Sequence, residues 1–153
     1  MRLRKYISKS FYPAYAISFL APIYLVGGGI RDLIYAKKPK DLDFVVLGKE
    51  HYDWVIDILK TCKIDYELNK FGGYKFSYNS IEVDLWIAED LFSSMQYNVD
   101  GLYFNLNTNS LLSLTFNDFY NNGLKVINEE NNIENGREKK LIKFEKKFIN
   151  KNK

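Results

Sequence analysis

Residues 23–48 constrain this chain more than any other stretch. The β-favouring run Ile23-Tyr24-Leu25-Val26 is cut off by Gly27-Gly28-Gly29, and residues 30–35 then fit the opening of a helix. Lys37-Lys38-Pro39 breaks that helix, and residues 42–47 read as a buried strand. Strand, glycine turn, helix and second strand follow within a few turns of chain. Such a segment can fold only as a sheet with a helix packed against it.

The rest of the pattern extends that sheet. Residues 50–62 carry Trp54, Val55, Ile58 and Leu59 at helical spacing, with Asp53 and Asp57 on the other side. Two alternating segments, 74–78 and 81–87, flank Asn79-Ser80 and predict a tight hairpin, with a neighbouring strand at 65–69. A second hairpin is predicted from 102–106 and 111–114, turning through Asn107-Thr108-Asn109-Ser110. Residues 10–20 read as a helix that tolerates Pro13 only in its first turn. Residues 117–123 read as a short helical turn ending at glycine, and 124–127 as a last short strand. The expected class is α+β (mixed α/β), a small mixed β-sheet flanked by helices.

Composition narrows the function classes. With 153 residues, 46% of them hydrophobic, the chain can bury one domain's core, which excludes wholesale disorder. The longest apolar stretch, 11–26, is interrupted by Pro13, Ser18 and Pro22 and falls short of the roughly 18 residues of a spanning helix. Arg2, Arg4 and Lys5 precede it, but 6–10 is polar and glycines follow where a cleavage site would stand. No membrane partner and a cytoplasmic location are therefore expected. The lone Cys62 and lone His51 leave neither a disulfide framework nor a thiolate zinc site.

Charge divides the chain. Residues 137–153 hold eight Lys or Arg against Glu138 and Glu145, a net of +6, so the rest sums to −3 within an overall +3. In that tail Leu141, Ile142, Phe144, Phe148 and Ile149 form one apolar stripe. The expected organisation is a globular unit over 1–136 and a basic amphipathic C-terminal helix over 137–153.

The chemistry-bearing residues are carboxylates. Asp41 and Asp43 alternate around Leu42 at a strand start, so both project to one face. Glu82 and Asp84 repeat the alternation on a later strand. If the two strands are neighbours, the carboxylates converge at one end of a sheet and repel each other unless a cation neutralises them. Hard divalent cations such as Mg²⁺ (or Mn²⁺) take oxygen ligands and engage substrate phosphates. Upstream, backbone N–H groups at the glycines can face a phosphate with no Cβ between. The glycines form neither a Walker A loop nor a dinucleotide fingerprint.

Tyr24-Leu25-Val26-Gly27-Gly28-Gly29-Ile30-Arg31-Asp32, followed by Pro39-Lys40-Asp41-Leu42-Asp43-Phe44-Val45-Val46, resembles the head domain of tRNA CCA-adding enzymes and bacterial poly(A) polymerases. These belong to the DNA polymerase β-like nucleotidyltransferase superfamily, whose signature is paired glycines, a helix, then D-x-D. Twelve residues separate Gly28 from Asp41 here. Ile81-Glu82-Val83-Asp84-Leu85-Trp86 resembles the strand of the third carboxylate, with Asp84 preferred and Glu82 in reserve. Residues 99–108 resemble the I-N-A-L-A-Y-D-L-x-T segment, so the likeness spans about residues 15–130.

The resemblance implies a polymerase β-like head that transfers a nucleoside monophosphate from an NTP to a hydroxyl, an RNA (tRNA-like) 3′ end foremost, releasing pyrophosphate. Asp41, Asp43 and Asp84 would hold Mg²⁺ (or Mn²⁺), and Asp84 would assist deprotonation of the acceptor. Gly27 and Gly28 would pack against the phosphates. Arg31 would either contact the nucleotide or tie the loop through Asp32. Trp86, by its position, reads as a core residue that also follows the site carboxylates closely enough to stack on a base. Two departures stand out. Ser94-Met95-Gln96-Tyr97-Asn98 replaces the family's nucleotide-holding R-R-D-F-T, and the helical neck, body and tail of those enzymes are missing. They raise the alternative of a catalytically inactive or partner-dependent homologue binding nucleotide, RNA or a protein, the last through the C-terminal helix.

Overall fold

Seven strands form one mixed sheet in the computed structural model, which describes residues 2–34, 37–69, 72–91 and 95–127 together with Ile142 and Glu145. The strands are β1 (Ile23–Val26), β2 (Asp41–Leu47), β3 (Glu67–Leu68), β4 (Tyr74–Tyr78), β5 (Ile81–Ala88), β6 (Leu102–Asn105) and β7 (Ser110–Ser113). Their order is β3-β4-β5-β2-β1-β6-β7. β2 and β5 run parallel, and the other neighbouring pairs are antiparallel. Both predicted hairpins form. At the first, Asn79 and Ser80 both take positive φ, the backbone that a two-residue hairpin turn demands.

One face of the sheet is covered by α1 (Arg2–Ser10), α2 (Pro13–Ser18) and α4 (Tyr52–Thr61), while α3 (Gly28–Ile34) links β1 to β2. Alternation sends Ile23 and Leu25, Leu42, Phe44 and Val46, and Ile81, Val83 and Leu85 into this main core. Phe11 is its centre, with its ring 5.5 Å from that of Phe44, 5.4 Å from Phe76 and 5.2 Å from Tyr78. The Trp54 indole N–H donates to the Ile17 carbonyl at 3.3 Å and locks α4 to α2. Each fully buried Val, Leu, Ile or Phe contributes about 1.5–3 kcal/mol, so this face carries most of the stability. The opposite face holds a smaller cluster of Val26, Val45, Leu91, Met95 and Tyr103, flanked by Trp86.

Two sequence expectations are corrected, and a third falls outside the described residues. The helix expected over 10–20 is confined to α2, and an unexpected helix, α1, precedes it with Phe11 buried between the two. α1 presents Leu3, Ile7 and Ser10 to the core at intervals of four and three, a narrow stripe that its Arg and Lys residues obscure. Pro13 does stand at the start of α2. The strand over 124–127 reduces to one bridge, Val126 to Tyr97, after α5 (Phe116–Asn122). The predicted helix over 137–153 lies outside the described residues apart from Ile142 and Glu145. Glu145 Oε2 accepts the Leu124 N–H at 3.2 Å. No helix among the described residues is long and apolar enough to cross a membrane.

Candidate active site

The parallel pairing of β2 with β5 sets Asp41 opposite Glu82 and Asp43 opposite Asp84. All four carboxylates therefore share the sheet face that the main helices leave open. Asp41 and Glu82 are exposed, whereas Asp43 and Asp84 are half-buried, one pair further along the strands. Val45 and Trp86 come next on the same face, so the acidic end grades into an apolar floor. Burial pushes the Asp84 carboxyl above the usual carboxylate range. Lys75, its partner on β4, pulls it back, and the negative charges of Asp41 and Glu82 push it up again.

β1 delivers the glycine turn to this place. Val26 pairs with Asp43, so Gly27 emerges beside that carboxylate with φ at +75°. A Cβ on Gly27 would stand 2.8 Å from Oδ2 of Asp43. A side chain here is excluded by both backbone and space. One on Gly29 would meet the Asp41 carbonyl oxygen at 2.8 Å, so α3 lies tight on the start of β2.

Glu82 and Asp84, indistinguishable by alternation alone, have different partners. The Ser77 hydroxyl donates to Glu82 Oε1 at 2.6 Å and turns that side chain toward β4. Asp84 stands level with Asp43. Among the described residues no three His, Cys, Asp or Glu side chains are gathered into a metal cage. The donor set of Asp41, Asp43 and Asp84 is all oxygen, the chemistry of a hard divalent cation, and its mutual repulsion is what such an ion relieves.

With this geometry in hand, comparison with solved structures is decisive for the fold. A CCA-adding enzyme in complex with ATP superposes with a TM-score of 0.64 and 18% identity over 96% of this chain and 38% of that one. A tRNA-processing enzyme in an apo form gives 0.62 and 15% over 89% and 39%. The Thermotoga maritima CCA-adding enzyme complexed with tRNA gives 0.59 and 18% over 83% and 32%. The fold is that of a polymerase β-like nucleotidyltransferase head. The chain spans less than two fifths of the length of these matched structures. No protein-family profile and no curated protein matches the sequence.

Within the nucleotidyltransferase-head fold, Arg31 is turned toward Asp100 and not toward Asp32. Its Nη1 lies 3.7 Å from Asp100 Oδ1 and donates to the Val99 carbonyl at 3.3 Å. Its Nη2 lies 3.4 Å from where a Cβ on Gly28 would be, so the guanidinium borders the glycine turn while Asp100 holds its far side. Asp100 Oδ2 also accepts the backbone N–H groups of Gln96 and Tyr97 at 3.2 and 3.0 Å. Sequence reasoning missed Asp100, because nothing local links it to Arg31. Met95, Gln96, Tyr97 and Asn98, the residues standing where the family carries R-R-D-F-T, are all buried. Asn98 instead binds the C-terminal side of the head, donating to Asp118 Oδ2 at 2.9 Å and to the Gly123 carbonyl at 2.8 Å.

Proposed function

We propose that this chain is a nucleotidyltransferase that moves a nucleoside monophosphate from an NTP to a hydroxyl, foremost an RNA 3′ end of tRNA-like form. The observation that carries the reading is the register of β2 on β5, which levels Asp43 with Asp84 beside the Gly27 turn. Asp41, Asp43 and Asp84 would hold Mg²⁺ (or Mn²⁺), with Glu82 in reserve behind its bond to Ser77. A bound divalent cation supplies charge neutralisation on the triphosphate.

The chain's own groups do the remaining work. The turn at Gly27 and Gly28 lets backbone approach the phosphates with no side chain between. Arg31, oriented by Asp100, sets a positive charge beside that turn. Asp84 takes the proton of the acceptor hydroxyl as its oxygen bonds to the α-phosphorus and the bond to the pyrophosphate oxygen breaks. Placement of the two reactants and compensation of charge account for the rate. The domain division follows the same reading, with the head over 1–136 and a basic amphipathic helix over 137–153 available to RNA or a partner protein. Fold neighbours solved with ATP, CTP and tRNA support the substrate classes, and a cytoplasmic location suits them.

The test is label transfer from each radiolabelled NTP, with Mg²⁺ or Mn²⁺, to total RNA and to a protein lysate. A labelled product from wild type and none from Asp41→Asn/Asp43→Asn is expected. Equal labelling by both would defeat the assignment. The burial of Met95–Asn98 favours a second reading, a head that binds nucleotide, RNA or a protein without turnover. Metal-independent RNA binding that survives loss of both aspartates, with no transfer of any nucleotide, would establish it.

A further inference from the structure

A second feature occupies the same end of the sheet, on the helix-covered side. A cavity of about 760 Å³ opens between α1, the loop before β2 and the β4–β5 turn. Three lysines from two elements converge on it, Lys9 from α1 and Lys38 and Lys40 from the loop. All three are exposed, and none has a carboxylate within salt-bridge distance among the described residues. Among the described residues no acidic side chain lines the cavity. That separates it from the carboxylate face, which begins one residue further along each strand, at Asp41 after Lys40 and at Glu82 after Ile81.

The uncharged part of the lining is also suited to an anion. Ser10, Asn79 and Ser80 supply hydroxyl and amide groups of the kinds that contact phosphate oxygens. Tyr6 contributes a phenol whose buried hydroxyl has no hydrogen-bond partner among the described residues. An unmade bond at a buried hydroxyl is unfavourable, and a ligand oxygen would supply it. Lysines bind phosphate as flexible point charges. The volume is that of a site for a nucleotide-sized group.

We propose that this lysine-lined cavity is a subsite for the phosphodiester backbone of a single-stranded RNA acceptor, whose 3′ end rounds the end of β2 and β5 to reach Asp41, Asp43 and Asp84. The proposal rests on the nucleotidyltransferase reading for its direction toward the carboxylates, but the binding itself does not. Three lysine contacts on a flexible strand, with no base-reading arginine among the described lining residues, give affinity that depends on salt and tolerates sequence.

The experiment titrates a short fluorescein-labelled single-stranded RNA against the full chain by anisotropy over a series of salt concentrations. Lys9→Ala/Lys38→Ala/Lys40→Ala should weaken binding about tenfold or more at low salt and flatten the plot of log affinity against log salt by about 2 units. Lys9→Ala/Lys38→Ala, which leaves the neighbour of Asp41 untouched, should give a smaller loss, and thermal melting checks that both variants fold. Asp43→Asn should bind the RNA as wild type does. In turnover, the lysine variants should raise the KM for RNA and leave the KM for NTP unchanged. RNA affinity and salt slope unaltered in a folded triple variant would overturn the subsite. A raised KM for NTP alone would overturn it too, by making the cavity a triphosphate site. Lysine-dependent RNA binding by a wild type that transfers no nucleotide would keep the subsite and remove the catalytic reading.

Discussion

The two faces of β2 and β5 obey opposite rules. On the covered face Leu42, Phe44, Val46, Val83 and Leu85 are each fully buried. On the open face the same two strands place Asp41, Asp43, Glu82 and Asp84 side by side before reverting to Val45 and Trp86. The covered face lowers the free energy of the fold. The open face raises it, since like charges stand level and one of them, Asp84, is partly withdrawn from water. Residues that a fold does not need, kept where they cost stability, point to chemistry.

That contrast can be broken by mutation. Asp43→Asn, on the open face, is expected to lower nucleotide transfer by roughly a hundredfold or more while leaving the melting transition in place, as single-turnover assays and calorimetry would show. Phe44→Ala, its neighbour on the covered face, should cost about 3–5 kcal/mol in denaturant unfolding. Wild-type-like stability in that variant would refute the division of labour. Gly27→Ala, at the edge between the faces, should cost about 1–3 kcal/mol for its left-handed backbone and also displace Asp43, so transfer and Tm should fall together.

The smallest expected change in stability is the most discriminating. Asp84→Asn should abolish transfer yet raise Tm slightly at neutral pH, because the carboxyl is pushed upward in the folded state. Its partial exposure keeps the gain small. A carboxyl with a raised folded pKa binds its proton more tightly when folded, so wild type gains stability as pH falls from the raised value toward the ordinary one. The Tm advantage of Asp84→Asn should therefore shrink through that window and vanish below it. An advantage constant across pH would show that charge is not its cause.

Legibility followed the range of the interactions. The strand-turn-helix-strand segment and both hairpins were readable because alternation and turn residues are local. α1 was not, since Leu3 and Ile7 are too sparse a stripe to declare a helix whose stability comes from packing against the sheet. The Asp41–Asp43 pair was legible as a unit, but its meeting with Asp84 was conditional on an adjacency that no local pattern dictates. The choice of Asp84 over Glu82 gained support only from Ser77, one strand away. Asp100 holds Arg31 across 69 residues of chain, and Asn107 binds the carbonyls of Ser18 and Ala21 at 2.8 and 3.1 Å. Such long-range polar anchors leave no periodic trace.

The parallel pairing of β2 with β5 has a further consequence during folding. The two strands are joined through α4, β3 and β4, so their alignment is a long-range pairing with no tight turn to set it. Alternation makes a misalignment by one residue intolerable, because it would drive Glu82 and Asp84 beneath the helices and bring Val83 and Leu85 to the surface. A molecule that has closed its core has thereby already aligned its acids, and a misassembled one is an unfolded one. The assembly is proofread by the hydrophobic residues that alternate with the carboxylates.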